Sequence, residues 1–309
     1  MPELTQAVWT RIEAYSQGKP KRGLSWGISR LDSMTYGLCP GNFVVLAAET
    51  SQGKTVLGTQ VAKRAALAGH PVLYVSLEMS DADIIERALL SHAGVDMSRA
   101  FAGQIDSEEW ERLGHAAEDF YSLPIHMETQ LRTDSDVVTA TKRGILQHGI
   151  ELVVVDYLQL LRHSGKSWGP KDEVTQVSHN LALLAHNTNV PVLCLSQLSR
   201  AKDPKRPGTP LRPTLSRLKE SGDIENDADK VVLIWNPKAG LQDVVDGIKM
   251  PVQALLIDAK HRGGPKGECP AWFEGQFARF IDCDDRWQDP EPSPDPFAAG
   301  FGGRNWWTD

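Results

Sequence analysis

With 309 residues, 41% apolar and 24% charged, the chain has the composition of an ordinary globular protein and enough length for one large domain or two small ones. It holds no apolar run of about 18 residues, so no membrane span is expected, and its first residues, MPELTQAVWTRIEAY, lack the apolar core of a signal peptide. No two of Cys39, Cys194, Cys269 and Cys283 are spaced as C-x-x-C, so a zinc site is not expected; Cys39 and Cys194 sit in apolar surroundings and read as buried thiols of a cytosolic protein.

The net charge of −7 argues against nucleic acid as a partner until its distribution is considered. Residues 284–309 carry six acids and two arginines, a net of −4, which leaves −3 for the other 283. Within these, residues 200–219 hold seven bases and one acid. A basic segment on a near-neutral body is compatible with a nucleic-acid ligand.

In chain order, residues 4–15 read as a short amphipathic helix, with Leu4, Val8 and Ile12 one turn apart. Such a helix needs a partner for its apolar stripe, either its own domain or a neighbouring subunit. A polar linker, 16–22, follows. Apolar runs then alternate with helical stretches: strands over 43–48, 72–76, 152–156, 192–196, 231–235 and 254–258, helices over 55–67, 81–93 and 173–187. Continuous apolar strands alternating with helices predict an α/β fold, a mostly parallel sheet covered on both faces. Trp272–Phe273 and 277–281 flank Glu274–Gly275 as a terminal hairpin. From 284 the chain turns Pro- and Gly-rich and reads as a tail rather than a fold.

The strongest motif is A-E-T-S-Q-G-K-T, residues 48–55, directly after one strand and opening a helix. That is the setting of a phosphate-binding loop, although Ala48 replaces the usual first glycine. Backbone N–H groups of Thr50, Ser51, Gln52, Gly53, Lys54, Thr55 and Val56 at a helix N-terminus attract phosphate. Lys54 reaches the outer phosphates and the Thr55 hydroxyl suits Mg²⁺. L-V-V-V-D ends a strand on Asp156, a second Mg²⁺ candidate at the crevice edge. Glu78 follows another strand and can deprotonate an attacking water; an equally good reading has it support the next helix through the dipole. Gln197 after V-L-C-L-S can sense a γ-phosphate, or be an ordinary loop amide.

Several stretches, in this order, resemble the C-terminal motor domain of the bacterial replicative helicase DnaB, a RecA-like ATPase: residues 31–55, Y-V-S-L-E-M-S (74–80), D-Y-L-Q-L (156–160), L-S-Q-L-S-R (195–200), E-S-G-D-I-E-N-D-A-D (220–229) and A-K-H-R-G-G-P (259–265). The resemblance covers residues 1–283 and implies a RecA-like P-loop core with a terminal hairpin, ATP and Mg²⁺ as cofactors, Glu78 as catalytic glutamate and Gln197 as sensor. It implies that Lys260 and Arg262 reach into a neighbour's ATP site, and hence a homo-oligomer, a ring of six. It places single-stranded DNA on two loops, with Lys166 in one and Arg217, Lys219, Glu220, Ser221 and Gly222 in the other. It implies ATP-driven 5′→3′ travel and duplex unwinding; the alternative is a RecA-like recombination mediator.

The chain departs from the family at Lys219, where Arg is usual, and at His261, where Gln is usual. The helical N-terminal domain that precedes the motor in the family is expected to be missing, with residues 1–22 read as a linker helix that docks on an adjacent subunit, 23–283 as the motor, and the whole as a stand-alone phage or plasmid helicase. The acidic tail 284–309, ending in Trp306 and Trp307, resembles tails that dock on replisome proteins: a polymerase, a single-strand binding protein or a primase.

Overall fold

A computed structural model describes residues 2–17, 23–167, 169–199, 202–203, 206–221, 224–238, 244–245 and 248–283. The tail and Gly222 lie outside the described residues, as do 18–22 of the linker. The helices are α1 (Pro2–Ser16), α2 (Ser29–Thr35), α3 (Lys54–Leu67), α4 (Asp81–Ala93), α5 (Met97–Phe101), α6 (Ser107–Tyr121), α7 (Asp134–His148), α8 (Pro170–Thr188) and α9 (Ile224–Asp227). The strands are β1 (Phe43–Ala48), β2 (Val72–Ser76), β3 (Ile125–Glu128), β4 (Leu152–Asp156), β5 (Val192–Gln197), β6 (Lys202–Asp203), β7 (Arg206–Pro210), β8 (Lys230–Trp235), β9 (Val244–Val245), β10 (Ile248–Lys249), β11 (Val252–His261), β12 (Gly267–Glu274) and β13 (Arg279–Asp282).

Nine strands form one sheet in the order β13-β12-β11-β8-β1-β5-β4-β2-β3. The six from β8 to β3 are parallel; β11, β12 and β13 continue the sheet antiparallel, the last two as the expected hairpin. Alternate residues of each central strand enter two separate cores. Phe43, Val45 and Ala47 of β1 join Val153, Val155, Val192 and Cys194 under Val137 and Ala140 of α7 and Val177, Leu181 and Ala185 of α8. Val44, Leu46 and Ala48 join Val154, Leu193 and Leu195 under Leu57, Val61 and Ala65 of α3. Burial on both faces is why these strands read as unbroken apolar runs. Each buried Val, Leu or Ile contributes about 1.5–3 kcal/mol.

Two stretches differ from the sequence reading. Residues 94–151, unassigned from sequence, hold α5, α6, β3 and α7: α6 buries only Glu109 and Ala116, and β3 is a half-buried edge strand, so neither shows a full apolar period. Residues 200–219, read as one basic loop, include the antiparallel β6–β7 pair and a 3₁₀ helix, Leu215–Ser221. Val56 is half-buried, packs against the core under α3 and also lines the cavity at the head of that helix. Cys39, Cys194 and Cys269 are buried free thiols, as expected for the first two. No helix among the described residues is long and apolar enough to cross a membrane.

The root of the Lys166 loop is fastened by Asp134, whose side chain is fully buried. Its Oδ1 accepts from the amides of Ser135 (2.8 Å) and Ser164 (2.9 Å); its Oδ2 accepts from His163 Nδ1 (2.6 Å) and Asn180 Nδ2 (2.7 Å). Burial alone would raise this carboxyl, but the donors more than compensate and hold it at about 2. Because the folded value lies below the unfolded 3.8, the stabilisation is full above about pH 4 and is lost as the pH falls toward 2. Asp134→Asn is expected to lose about 1–3 kcal/mol at pH 7 and to flatten the acid limb of stability, checked by urea unfolding at pH values between 7 and 2.

Candidate active site

β1 is the central strand, paired in parallel with β5 and β8, and residues 48–53 carry it into α3. A cavity of about 480 Å³ opens there, lined by the loop (Ala48, Glu49, Thr50, Ser51, Gly53), Lys54, Thr55 and Val56 of α3, Glu78, Met79, Arg87, Gln197 and Phe273. Gly53 has φ +97°, and a Cβ there would stand 2.7 Å from the Phe280 ring, so the conformation and the hairpin packed on the loop both require glycine.

Of the expected residues, Thr50, Ser51, Gly53, Lys54, Thr55, Val56, Glu78 and Gln197 line this cavity, and Asp156 adjoins it through Lys54. Lys54 Nζ lies 3.4 Å from Asp156 Oδ1 and 3.8 Å from the centroid of the Tyr157 ring. Burial pushes its ammonium below the ordinary value, with Asp156 and Glu78 opposing that shift. Asp156, at the end of β4, is 2% exposed and also accepts from the Tyr74 hydroxyl at 3.3 Å. Glu78 stands exposed at the cavity wall after β2. Gln197 Nε2 donates to Thr50 Oγ1 at 3.0 Å and so ties the end of β5 to the phosphate loop. The Gln52 side chain turns away from the cavity: it is buried, and its Oε1 accepts from the Asn236 amide at 2.5 Å beyond β8.

The oxygen-only pair of the Thr55 hydroxyl, half-buried at the cavity, and the Asp156 carboxylate, already beside one cation, suits a hard divalent ion such as Mg²⁺.

Other expected residues lie elsewhere. Lys260 and Arg262 do not line the cavity. Lys260 donates to the Glu225 and Asn226 carbonyls, and Arg262 to the Asn226 carbonyl and to Asp229 Oδ1 (3.1 Å). Lys166 is exposed. Lys219, Glu220 and Ser221 end the Leu215–Ser221 turn. The side chain of Arg217, expected at DNA, is 8% exposed and paired to Glu49, with further bonds to the Ser199 and Leu211 carbonyls. The basic run that contains it suggested solvent; an acid 168 positions away draws it inward.

Sequence reasoning missed Gln159. Its Oε1 accepts from the Gln197 amide (3.1 Å), and its Nε2 donates to Ser196 Oγ (2.9 Å) and the Gln197 carbonyl (3.0 Å). It lies inside D-Y-L-Q-L, but only the adjacency of β4 and β5 gives it this task. Arg87 and Phe273 were also missed, since neither sits in a motif. Gln159→Leu, of similar size, is expected to lose about 1–3 kcal/mol of stability, checked by thermal unfolding.

Comparison with known proteins fits this geometry. The family profile described as DnaB-like helicase C terminal domain matches residues 23–282. The replicative DNA helicase DnaB of Leifsonia xyli subsp. xyli is 33% identical over 293 residues, covering 90% of this chain and 61% of that protein. The chain thus spans about three-fifths of that relative's length. The solved ATPase domain of G40P superposes with a TM-score of 0.80 at 28% identity, over 92% of this chain and 98% of that one. A DnaB-like replicative helicase, solved in a study of its interactions with primase, gives 0.78 at 28% identity, over 90% and 66%. The sheet, the phosphate loop at its centre and the match across 23–282 lead to one conclusion: the chain belongs to the DnaB-like helicase C-terminal domain family.

Proposed function

We propose that this chain is an ATP-hydrolysing ring motor that travels on single-stranded DNA, 5′→3′, and unwinds duplex DNA. The observation that carries the reading is the convergence of Lys54, Thr55, Glu78 and Gln197 on one cavity at the end of β1, within a segment matched by a helicase-domain family. That match does not favour the recombination-mediator alternative.

The chemistry follows from the residues. Loop amides 50–56 and the α3 dipole hold the β- and γ-phosphates, and the ammonium of Lys54 neutralises developing charge in a poorly solvated setting. Glu78 accepts the proton of a water whose oxygen attacks the γ-phosphorus; the bond to the bridging oxygen breaks, giving ADP and phosphate. Thr55 and Asp156 would hold Mg²⁺, which supplies charge neutralisation to the phosphate oxygens when bound. Gln197, hydrogen-bonded to Thr50, is placed to register the γ-phosphate. Lys260 and Arg262 would serve a neighbouring subunit's site after leaving the Asn226 carbonyl and Asp229; a trans arginine is worth about 10³–10⁵ in rate.

We assign DNA contact to Lys166, Lys219, Glu220, Ser221 and Gly222, as a backbone-tracking surface without base reading. The chain is assigned to a homo-hexamer; the exposure of Trp9 and Ile12 on α1, 59% and 51%, supports a contact of that helix with a neighbouring subunit. The tail 284–309 is assigned to a replisome partner: polymerase, single-strand binding protein or primase.

ATP turnover with and without single-stranded DNA tests the reading. Stimulation of about ten-fold or more is expected, and indifference to DNA would overturn the motor assignment. Glu78→Gln is expected to lower turnover by about 10²–10⁴ while retaining nucleotide; unchanged turnover would remove Glu78 from the chemistry.

A further inference from the structure

The phosphate loop carries a carboxylate where a triphosphate must sit. Glu49 lines the cavity, its side chain is 15% exposed, and a bare anion there would repel the ligand. Its charge is matched by Arg217, from the far side of the 198–217 excursion. The guanidinium gathers three stretches: it pairs with Glu49 through Nη2, bonds the Ser199 carbonyl with the same nitrogen, and donates through Nη1 to the Leu211 carbonyl at 2.9 Å. Ser199 Oγ returns a bond to the Arg217 carbonyl at 3.4 Å, and Thr50, the next loop residue, holds Gln197. The phosphate loop is therefore strapped to both ends of the excursion. Arg217 sits two residues before Lys219 in one 3₁₀ helix, a spacing of about 4 Å along its axis.

We propose that the Glu49–Arg217 pair is the latch through which nucleotide occupancy sets the position of residues 219–221, assigned above to DNA, with Arg217 a positioning residue rather than a DNA contact. This rests on the motor reading above. An incoming triphosphate is a rival anion for a cation already held by Glu49. A guanidinium this buried cannot leave one anion without gaining another. Any shift of Arg217 moves the short helix that carries Lys219.

The test measures the affinity of purified protein for fluorescein-labelled oligo(dT), with and without saturating non-hydrolysable ATP analogue, and takes the ratio. The unaltered protein is expected to show a ratio of about ten or more. Glu49→Gln and Arg217→Gln are each expected to bring the ratio to within about three-fold of one. The charge-swapped double variant, Glu49→Arg with Arg217→Glu, is expected to recover most of it. A purely structural pair would shift both affinities together and leave the ratio unchanged. Should Arg217→Gln fail to fold, judged by thermal unfolding, Glu49→Gln and Arg217→Lys decide the matter, the latter keeping the charge but not the planar fork. Single variants that keep the full ratio, or a folded swap no better than the singles, overturn the latch. Unaltered protein that does not bind the oligonucleotide at all overturns the motor reading itself, and the latch with it.

Discussion

β1 is hydrogen-bonded on both edges and buried on both faces, and every chemical feature of the molecule depends on that constraint. A strand so enclosed can meet solvent only at its ends. Its parallel neighbour β5 and, next to β5, the strand β4 end at the same edge, and β2, beyond β4, ends beside Asp156. The turn into α3, the carboxylate of Asp156, the exposed Glu78 and the amide of Gln197 therefore share one rim without any loop having to reach far.

The rim is not supported from one side alone. The antiparallel extension brings Phe273 to the cavity wall and presses Phe280 against Gly53; the two rings lie 4.9 Å apart. On the opposite flank, Gln159 clamps the end of β5 and Arg217 neutralises Glu49. The loop backbone is left free to address an anion because its side chains are engaged elsewhere: Gln52 with Asn236, Thr50 with Gln197, Glu49 with Arg217.

Much of this was legible in the sequence, for identifiable reasons. The limits of β2, α4 and β4 match the reading residue for residue, because double-sided burial leaves no polar interruption and the ends are marked by Ser, Asp and Gly. Lys54 and Thr55 could be singled out by the motif between β1 and α3, and Glu78 and Gln197 because they stand at or just after the ends of β2 and β5. Residues whose roles depend on a distant partner were hidden. The charge of Arg217 looked like solvent-facing base among bases, since its acid lies 168 positions earlier. Gln159 stood inside a recognised motif, yet only the order of strands in the sheet discloses what it holds.

Phe280 sits against Gly53 although 227 residues separate them in the chain. During synthesis the phosphate loop leaves the ribosome well before the wall it leans on. Strands β1 to β8 can assemble their parallel core while β13 is still unmade, but the loop then lacks the ring that backs its glycine. The cavity at the phosphate loop is thus completed only when the hairpin is, so capture of the proposed nucleotide by a nascent chain would report that translation has passed β13.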